Sequence, residues 1–130
     1  MASFLSPLIR EGAAAYQLLN DRTGQVVVES ILVAFDSPSR RTGLLKHTSL
    51  PDKQGLIIAP CNSVHTFFMK FDIDIAFVDR DGRIVKTVNA LRPWRMAGAF
   101  RAFATIELAA GSLEESGTRR DDLLRPVRRT

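Results

Sequence analysis

The apolar positions of this chain fall into short runs divided by Gly, Pro, Asp and Asn, a pattern of strands rather than long helices. AYQLLN (15–20) predicts a first strand, followed by a turn at Asp21-Arg22-Thr23-Gly24. QVVVESILVAF (25–35) is rich in β-branched residues and too apolar for a surface segment. GLIIAP (55–60) predicts a buried strand that ends at Pro60. IDIAFVD (73–79) alternates, with Ile73, Ile75 and Phe77 on one face. RIVKTVNAL (83–91) returns as its hairpin partner across Asp79-Arg80-Asp81-Gly82, where Gly82 supplies positive φ at little cost. ATIELAAG (104–111) is another strand and DDLLRPV (121–127) a last edge strand.

Two helical segments punctuate the strands. Ser37 can accept from the free amides of a helix start, and Pro38 carries a preset φ for the first helical position. The helix predicted there runs over about residues 38–46, weakened by Gly43. SLEES (112–116) reads as one helical turn. The expected fold is mainly β: a compact antiparallel sandwich or barrel, jelly-roll-like, with one or two short helices. Residues 1–13 read as a flexible lead-in, 14–127 as a single β-rich domain, and 128–130 as a basic end.

Composition narrows the function classes. A chain of 130 residues holds one sizeable core and is too short for two. Its net charge of +4 suggests nucleic acid until its distribution is read. From Arg119 onward five arginines face Asp121 and Asp122, whereas residues 1–118 carry 13 basic and 12 acidic groups. The basicity is mostly a tail, and the body has no excess that would draw a phosphate partner. A single cysteine excludes an internal disulfide. The start MASFLSPLIREG has no basic residue before its apolar patch, and Pro7 and Arg10-Glu11 break it, so no signal peptide is expected. No apolar run approaches the ~18 residues of a membrane span. The expected location is cytoplasmic, with no membrane partner.

A set of ordered landmarks goes further. Arg40-Arg41-Thr42-Gly43-Leu44-Leu45, Leu50-Pro51 and Gly55-Leu56 come first. Cys61, Val64-His65-Thr66, Met69, Ile73-Asp74, Phe77, Asp79 and Gly82 follow, then Arg92-Pro93-Trp94-Arg95 and Ile106-Glu107-Leu108 with Gly111. In this order, over roughly residues 25–127, they resemble domain-of-unknown-function family 192. The resemblance implies a compact, mainly β, jelly-roll-like fold and no established activity. Two positions depart from the family pattern: Asp72 stands where members often have proline, and Phe68 where glycine or tryptophan is common.

The stretch CNSVHTFFMKFDID (61–74) concentrates the candidate chemistry. Cys61, His65 and Met69 are four apart, close enough on a helix to share one ion. Pro60 and the β-branched and aromatic Val64, Thr66, Phe67 and Phe68 favour an extended chain instead. On a strand, neighbours four apart are separated by ~13 Å, which one ion cannot bridge. No metal or other cofactor is therefore called for. A thiolate at Cys61 would need His65 as its base, and only a turn at residues 61–64 would join them. Asp72 and Asp74 share strand parity, which suits either paired-carboxylate chemistry or a solvated edge, with Asp74 pointing outward or lining a cleft. Asp79–Gly82 fails as a calcium loop, because Phe77 and Val88 occupy its first and last positions. Arg92-Pro93-Trp94-Arg95 sets an indole between two guanidiniums, able to hold an anion or sugar, or to stack a base.

The leading expectation is a non-enzymatic domain that binds a small molecule or another partner. Its cleft would be lined by Cys61, His65, Thr66, Met69, Asp74, Arg92, Trp94 and Arg95, with no catalytic residue assigned. Two alternatives stand beside it: a metal-assisted or thiol-dependent hydrolase, and nucleic-acid or regulatory binding through Trp94 and the Arg-rich tail. The even charge of the body disfavours a nucleic-acid partner.

Overall fold

A computed structural model describes residues 2–130. In chain order the elements are helix α1 (Ser6–Glu11), strands β1 (Tyr16–Asn20), β2 (Val26–Val28) and β3 (Ser30–Ala34), and helix α2 (Ser37–Thr42). Strands β4 (Gln54–Ile58), β5 (Ser63–His65), β6 (Ile73–Val78), β7 (Ile84–Leu91), β8 (Met96–Gly98) and β9 (Ala104–Ala109) follow. Helix α3 (Ser112–Glu115) and strand β10 (Leu124–Arg128) complete the chain.

The strands form a five-stranded sheet in the order β3-β4-β9-β6-β7, a three-stranded sheet β10-β1-β2, and a two-stranded ribbon β5-β8. All pairings are antiparallel except β3 with β4. The two larger sheets pack as a sandwich and do not close into a barrel. Among the described residues there are three α-helices, one more than the sequence pattern suggested, and a 3-10 turn at Ala13–Ala15.

Register decides what each face of the five-stranded sheet carries. Ile57, Ile106 and Ala76 lie opposite one another, as do Gly55, Leu108 and Asp74, so these share one face. Leu56, Glu107 and Ile75 share the other, with Ile58, Phe77 and Ile73 beside them. The first face packs on Leu18, Val28 and Leu124 of the three-stranded sheet. A side chain at Gly55 would put its Cβ 2.9 Å from Val28 Cγ2, so glycine permits the close approach of the two sheets. The second face is covered by Leu44, Leu50, Met69 and neighbouring half-buried residues from loops and from the ribbon.

Several expected elements change in detail. QVVVESILVAF forms two strands: the amides of Glu29 and Ser30 both donate to Lys53 O, and the chain passes there from one sheet to the other. Strand β6 is buried at all six positions because both sides of the central sheet are covered, so the alternation in its sequence does not separate core from solvent. Helix α2 spans 37–42 rather than 38–46. Its cap is Asp36, whose carboxylate accepts from Ser39 N at 2.8 Å, and Gly43 at φ 48° ends it. The segment expected as a lead-in carries α1, with Pro7 in its first turn, and seats Leu5 and Leu8 in the main core. At the other end Arg128 lies within β10 and pairs with Glu11, while Arg125 pairs with Asp21 at 2.7 Å. These exposed pairs add little stability, but they lay part of the basic tail along a sheet edge.

Candidate functional site

Thr66 organises the ribbon from inside. Its hydroxyl donates to Arg92 O at 2.6 Å and accepts from Arg95 N at 2.9 Å. Its amide donates to Arg95 O, and its carbonyl accepts from Trp94 N and Met69 N. Every polar group of a fully buried residue is thus engaged. The chain folds around this clasp, with Phe68 at φ 68° and Trp94 at φ 66°, both in the left-handed region. The turn throws the aromatic rings outward. His65 stacks on Phe67 at 4.7 Å between centroids, Phe67 on Trp94 at 5.8 Å, and Phe68 tilts against Trp94 at 4.6 Å. Phe68 and Trp94 are more than half exposed. Arg92 and Arg95 flank Trp94, both exposed.

The expected extension of Cys61–Met69 holds only over Ser63–His65; the chain then turns back. Cys61, His65 and Met69 therefore come to line one cleft, together with Phe68. No hydrogen bond joins the Cys61 thiol to the His65 imidazole. The Cys61 thiol donates to Ser63 O at 3.2 Å, and His65 Nδ1 accepts from Phe67 N at 3.3 Å, so thiol and imidazole each have another partner. Among the described residues no three His, Cys, Asp or Glu side chains gather as a metal would require.

Asp74 departs most from its expected place. It neither points outward nor lines the cleft, but is fully buried on the face that meets the three-stranded sheet. One carboxylate oxygen accepts from Ala90 N at 2.8 Å, the other from Gly111 N at 3.1 Å and Leu113 N at 3.0 Å. It thus holds β7 where Ala90 turns to φ 48°, and satisfies amides at the start of α3. Asp72 stays exposed, so the two carboxylates do not pair.

The cleft has a volume of about 700 Å³ and runs between the α2 region and the β5 segment. Ser37, Arg40, Arg41 and Thr42 form one bank, Asn62, Ser63, His65 and Phe68 the other, over Leu44, Leu45, Ile58 and Met69. Arg92, Trp94 and Arg95 lie outside its lining, and Trp94 backs its wall through Phe68. Arg40 is committed to Phe35 O at 2.9 Å and Ser37 Oγ at 3.1 Å. Arg41 is exposed and forms no ion pair among the described residues.

The lining includes a residue named among the landmarks but not among the expected site residues, Glu107 of β9. It lies in mid-sheet between Leu56 and Ile75 and is only 5% exposed. Its carboxyl forms no hydrogen bond or ion pair with the described residues, and burial alone raises its pKa to about 7. Among the described residues, the only side-chain polar atom both sealed from solvent and unpartnered is Nδ1 of His47, so the Glu107 oxygens keep an outlet. That outlet is the cleft. A sequence signal did exist: a glutamate inside the apolar run ATIELAAG, at a position that β9 register turns to the covered face.

A second hollow of about 690 Å³ lies beyond Cys61, among Asp79, Arg80, Arg101 and Phe103. Two of its polar side chains are engaged: Asp79 caps the hairpin turn through Asp81 N and Arg83 N, and Arg80 stacks on Phe103 at 4.3 Å. The cleft over Glu107 is the stronger candidate. No helix among the described residues is long and apolar enough to cross a membrane.

Comparison with known proteins bears out the fold. A "putative transcription regulator" of Sinorhizobium meliloti 1021 superposes with a TM-score of 0.75 at 18% identity, covering 85% of this chain and 91% of that one. A protein of unknown function from Novosphingobium aromaticivorans gives a TM-score of 0.75 at 21% identity, covering 85% and 83%. Among curated proteins, none matches. The model of domain-of-unknown-function family 192, described as Uncharacterized ACR, matches residues 18–126, and the chain belongs to that family.

Proposed function

We propose that this domain binds a small molecule in the cleft over Glu107 and does so without catalysis. The observation that carries the reading is a nearly buried carboxyl, unpartnered in the protein, lining a cleft with polar banks. A buried polar group without a partner costs roughly 1–3 kcal/mol, which a ligand supplying that partner recovers as affinity. Three stretches that carry the family resemblance converge on the cleft: Arg40–Leu45, Cys61–Met69 and Glu107. Against a thiol enzyme stands the separate engagement of Cys61 and His65.

The test is thermal melting against a library of polar metabolites, run on the wild type and on Thr42→Trp. Thr42 is an exposed residue of the bank, so tryptophan there fills the cleft without touching the core. A compound that raises Tm in the wild type and not in Thr42→Trp supports the reading. No stabilising compound, or equal shifts in both proteins, defeats it.

The aromatic ladder favours a second reading. Rings from His65 to Phe68 with Arg92 and Arg95 alongside suit stacking of single-stranded bases. One fold relative is described as a putative regulator, which fits the same idea. Binding to an oligonucleotide that weakens steeply with salt and is lost in Trp94→Ala would favour it; no binding at low salt ends it.

A further inference from the structure

Resting on the ligand-binding reading above, the chemistry of the cleft selects among ligand classes. Its lining carries two groups of opposite charge potential. Inside is Glu107, set between Leu56 and Ile75 of neighbouring strands, with Leu44, Ile58 and Met69 in the same lining. On the bank is Arg41, exposed, its guanidinium without an ion pair among the described residues. The rest of the lining is mixed, with Leu45 and Phe68 offering apolar surface and Ser37, Thr42 and Ser63 hydroxyls.

We propose that the ligand is amphoteric: an organic ammonium or guanidinium group seats against Glu107, and a carboxylate or similar acid faces Arg41. A carboxylate in an apolar setting gains most from a partner that supplies both charge and hydrogen-bond donors. A neutral donor supplies only the second. A bare metal ion is disfavoured because no three His, Cys, Asp or Glu side chains gather among the described residues. Arg40 cannot serve as the internal partner while its guanidinium holds Phe35 O and Ser37 Oγ. At about 700 Å³ the cleft has room for more than a free amino acid. The class is therefore an amino-acid conjugate or a short peptide end, its apolar part lying along Phe68 and Leu45.

Three probes of matched chain length separate the ends: γ-aminobutyrate, n-butylamine and butyrate, each titrated calorimetrically into the wild type, Glu107→Gln and Arg41→Gln. The expected result is that γ-aminobutyrate binds the wild type about tenfold more tightly than either single-ended probe. Glu107→Gln should lose about tenfold for both amines and leave butyrate unchanged, whereas Arg41→Gln should weaken γ-aminobutyrate and butyrate and leave n-butylamine unchanged. Melting of each variant without probe establishes that it is folded, and Glu107→Leu serves as a second cavity variant if Glu107→Gln melts early.

Butyrate binding as tightly as γ-aminobutyrate overturns the proposal. So does amine binding that Glu107→Gln leaves intact, or no binding of either amine up to about 10 mM. The ligand-binding reading fails separately. If the metabolite library yields neutral or purely anionic ligands that Thr42→Trp blocks, the cleft is a site and the amphoteric assignment is wrong.

Discussion

The two faces of the five-stranded sheet each bury one carboxylate, and the two are built in opposite ways. Asp74, on the face closed by the three-stranded sheet, accepts from three backbone amides. Glu107, on the face covered by loops, α2 and the ribbon, accepts from none, and the cleft opens above it. Both sit within apolar β-strand runs, IDIAFV and ATIELA, so residue type alone does not separate them. What separates them is who supplies the donors. Asp74 receives its donors from the fold, and those hydrogen bonds tie β7 to the start of α3. Glu107 is left to whatever enters the cleft.

The largest expected effect comes from breaking the satisfied side. Asp74→Ala removes the acceptor of three backbone amides, that of Leu113 buried, and should destabilise the domain by about 3–4 kcal/mol in urea unfolding, if it folds at all. Asp74→Asn, which keeps one acceptor oxygen, should fall well short of that loss. Equal stability of Asp74→Ala and wild type would refute the contrast.

The unsatisfied side should respond with the opposite sign. Burial raises the Glu107 pKa from 4.5 to about 7, so the native state holds its proton over a range where the unfolded chain releases it. Stability tied to this group is full below about pH 4.5 and falls as pH rises through 7. The loss by pH 8 is on the order of 3 kcal/mol. Glu107→Gln removes that dependence, so it should be more stable than wild type at pH 8 by about 2–3 kcal/mol and nearly equal at pH 4.5. Denaturation at the two pH values measures it, and a variant less stable at pH 8 would show that the carboxylate has an internal partner.

Asp122 tests whether satisfied acids behave alike elsewhere. Arg22 holds it at 2.6 Å, and Asn20 and the Arg119 amide also donate, bringing its pKa down from 3.8 to about 2. Its contribution is present above pH 3.8 and lost as pH falls through 2, the reverse of Glu107. Asp122→Asn should cost about 2 kcal/mol at pH 7 and close to nothing at pH 2. The smallest effect expected is at the ribbon: Thr66→Val removes the hydroxyl clasp for about 1–2 kcal/mol. It should also shift Trp94 fluorescence, because the loop that carries the indole closes on that hydroxyl.

Much of the strand inventory could be read from the chain, because β-branched runs and turn residues are local signals. β1, β4, β6, β7 and β9 lie where the pattern puts them. Features set by long-range contacts were not legible. The break at Glu29 depends on Lys53 O, and β8 exists only because β5 pairs with it. The buried Leu5 and Leu8 are explained by the sheets beneath them, which no local pattern announces. For the site, Cys61, His65 and Met69 do line the cleft, yet for a reason the spacing did not contain: the turn held by Thr66. Asp74 and Glu107 could not be told apart, because the difference lies in which amides and which empty space meet them after folding.

The left-handed backbone at Phe68 and Trp94 has a consequence for how the surface is maintained. Such conformations cost non-glycine residues of order 1 kcal/mol each, and glycine would adopt them freely. A chain tuned only for folding would place glycine at both corners. Two large rings, mostly in water and held against backbone preference, run counter to foldability twice over. Phe68→Gly and Trp94→Gly therefore serve as a gauge: whatever activity they abolish while the protein stays folded is the activity for which those corners are kept aromatic.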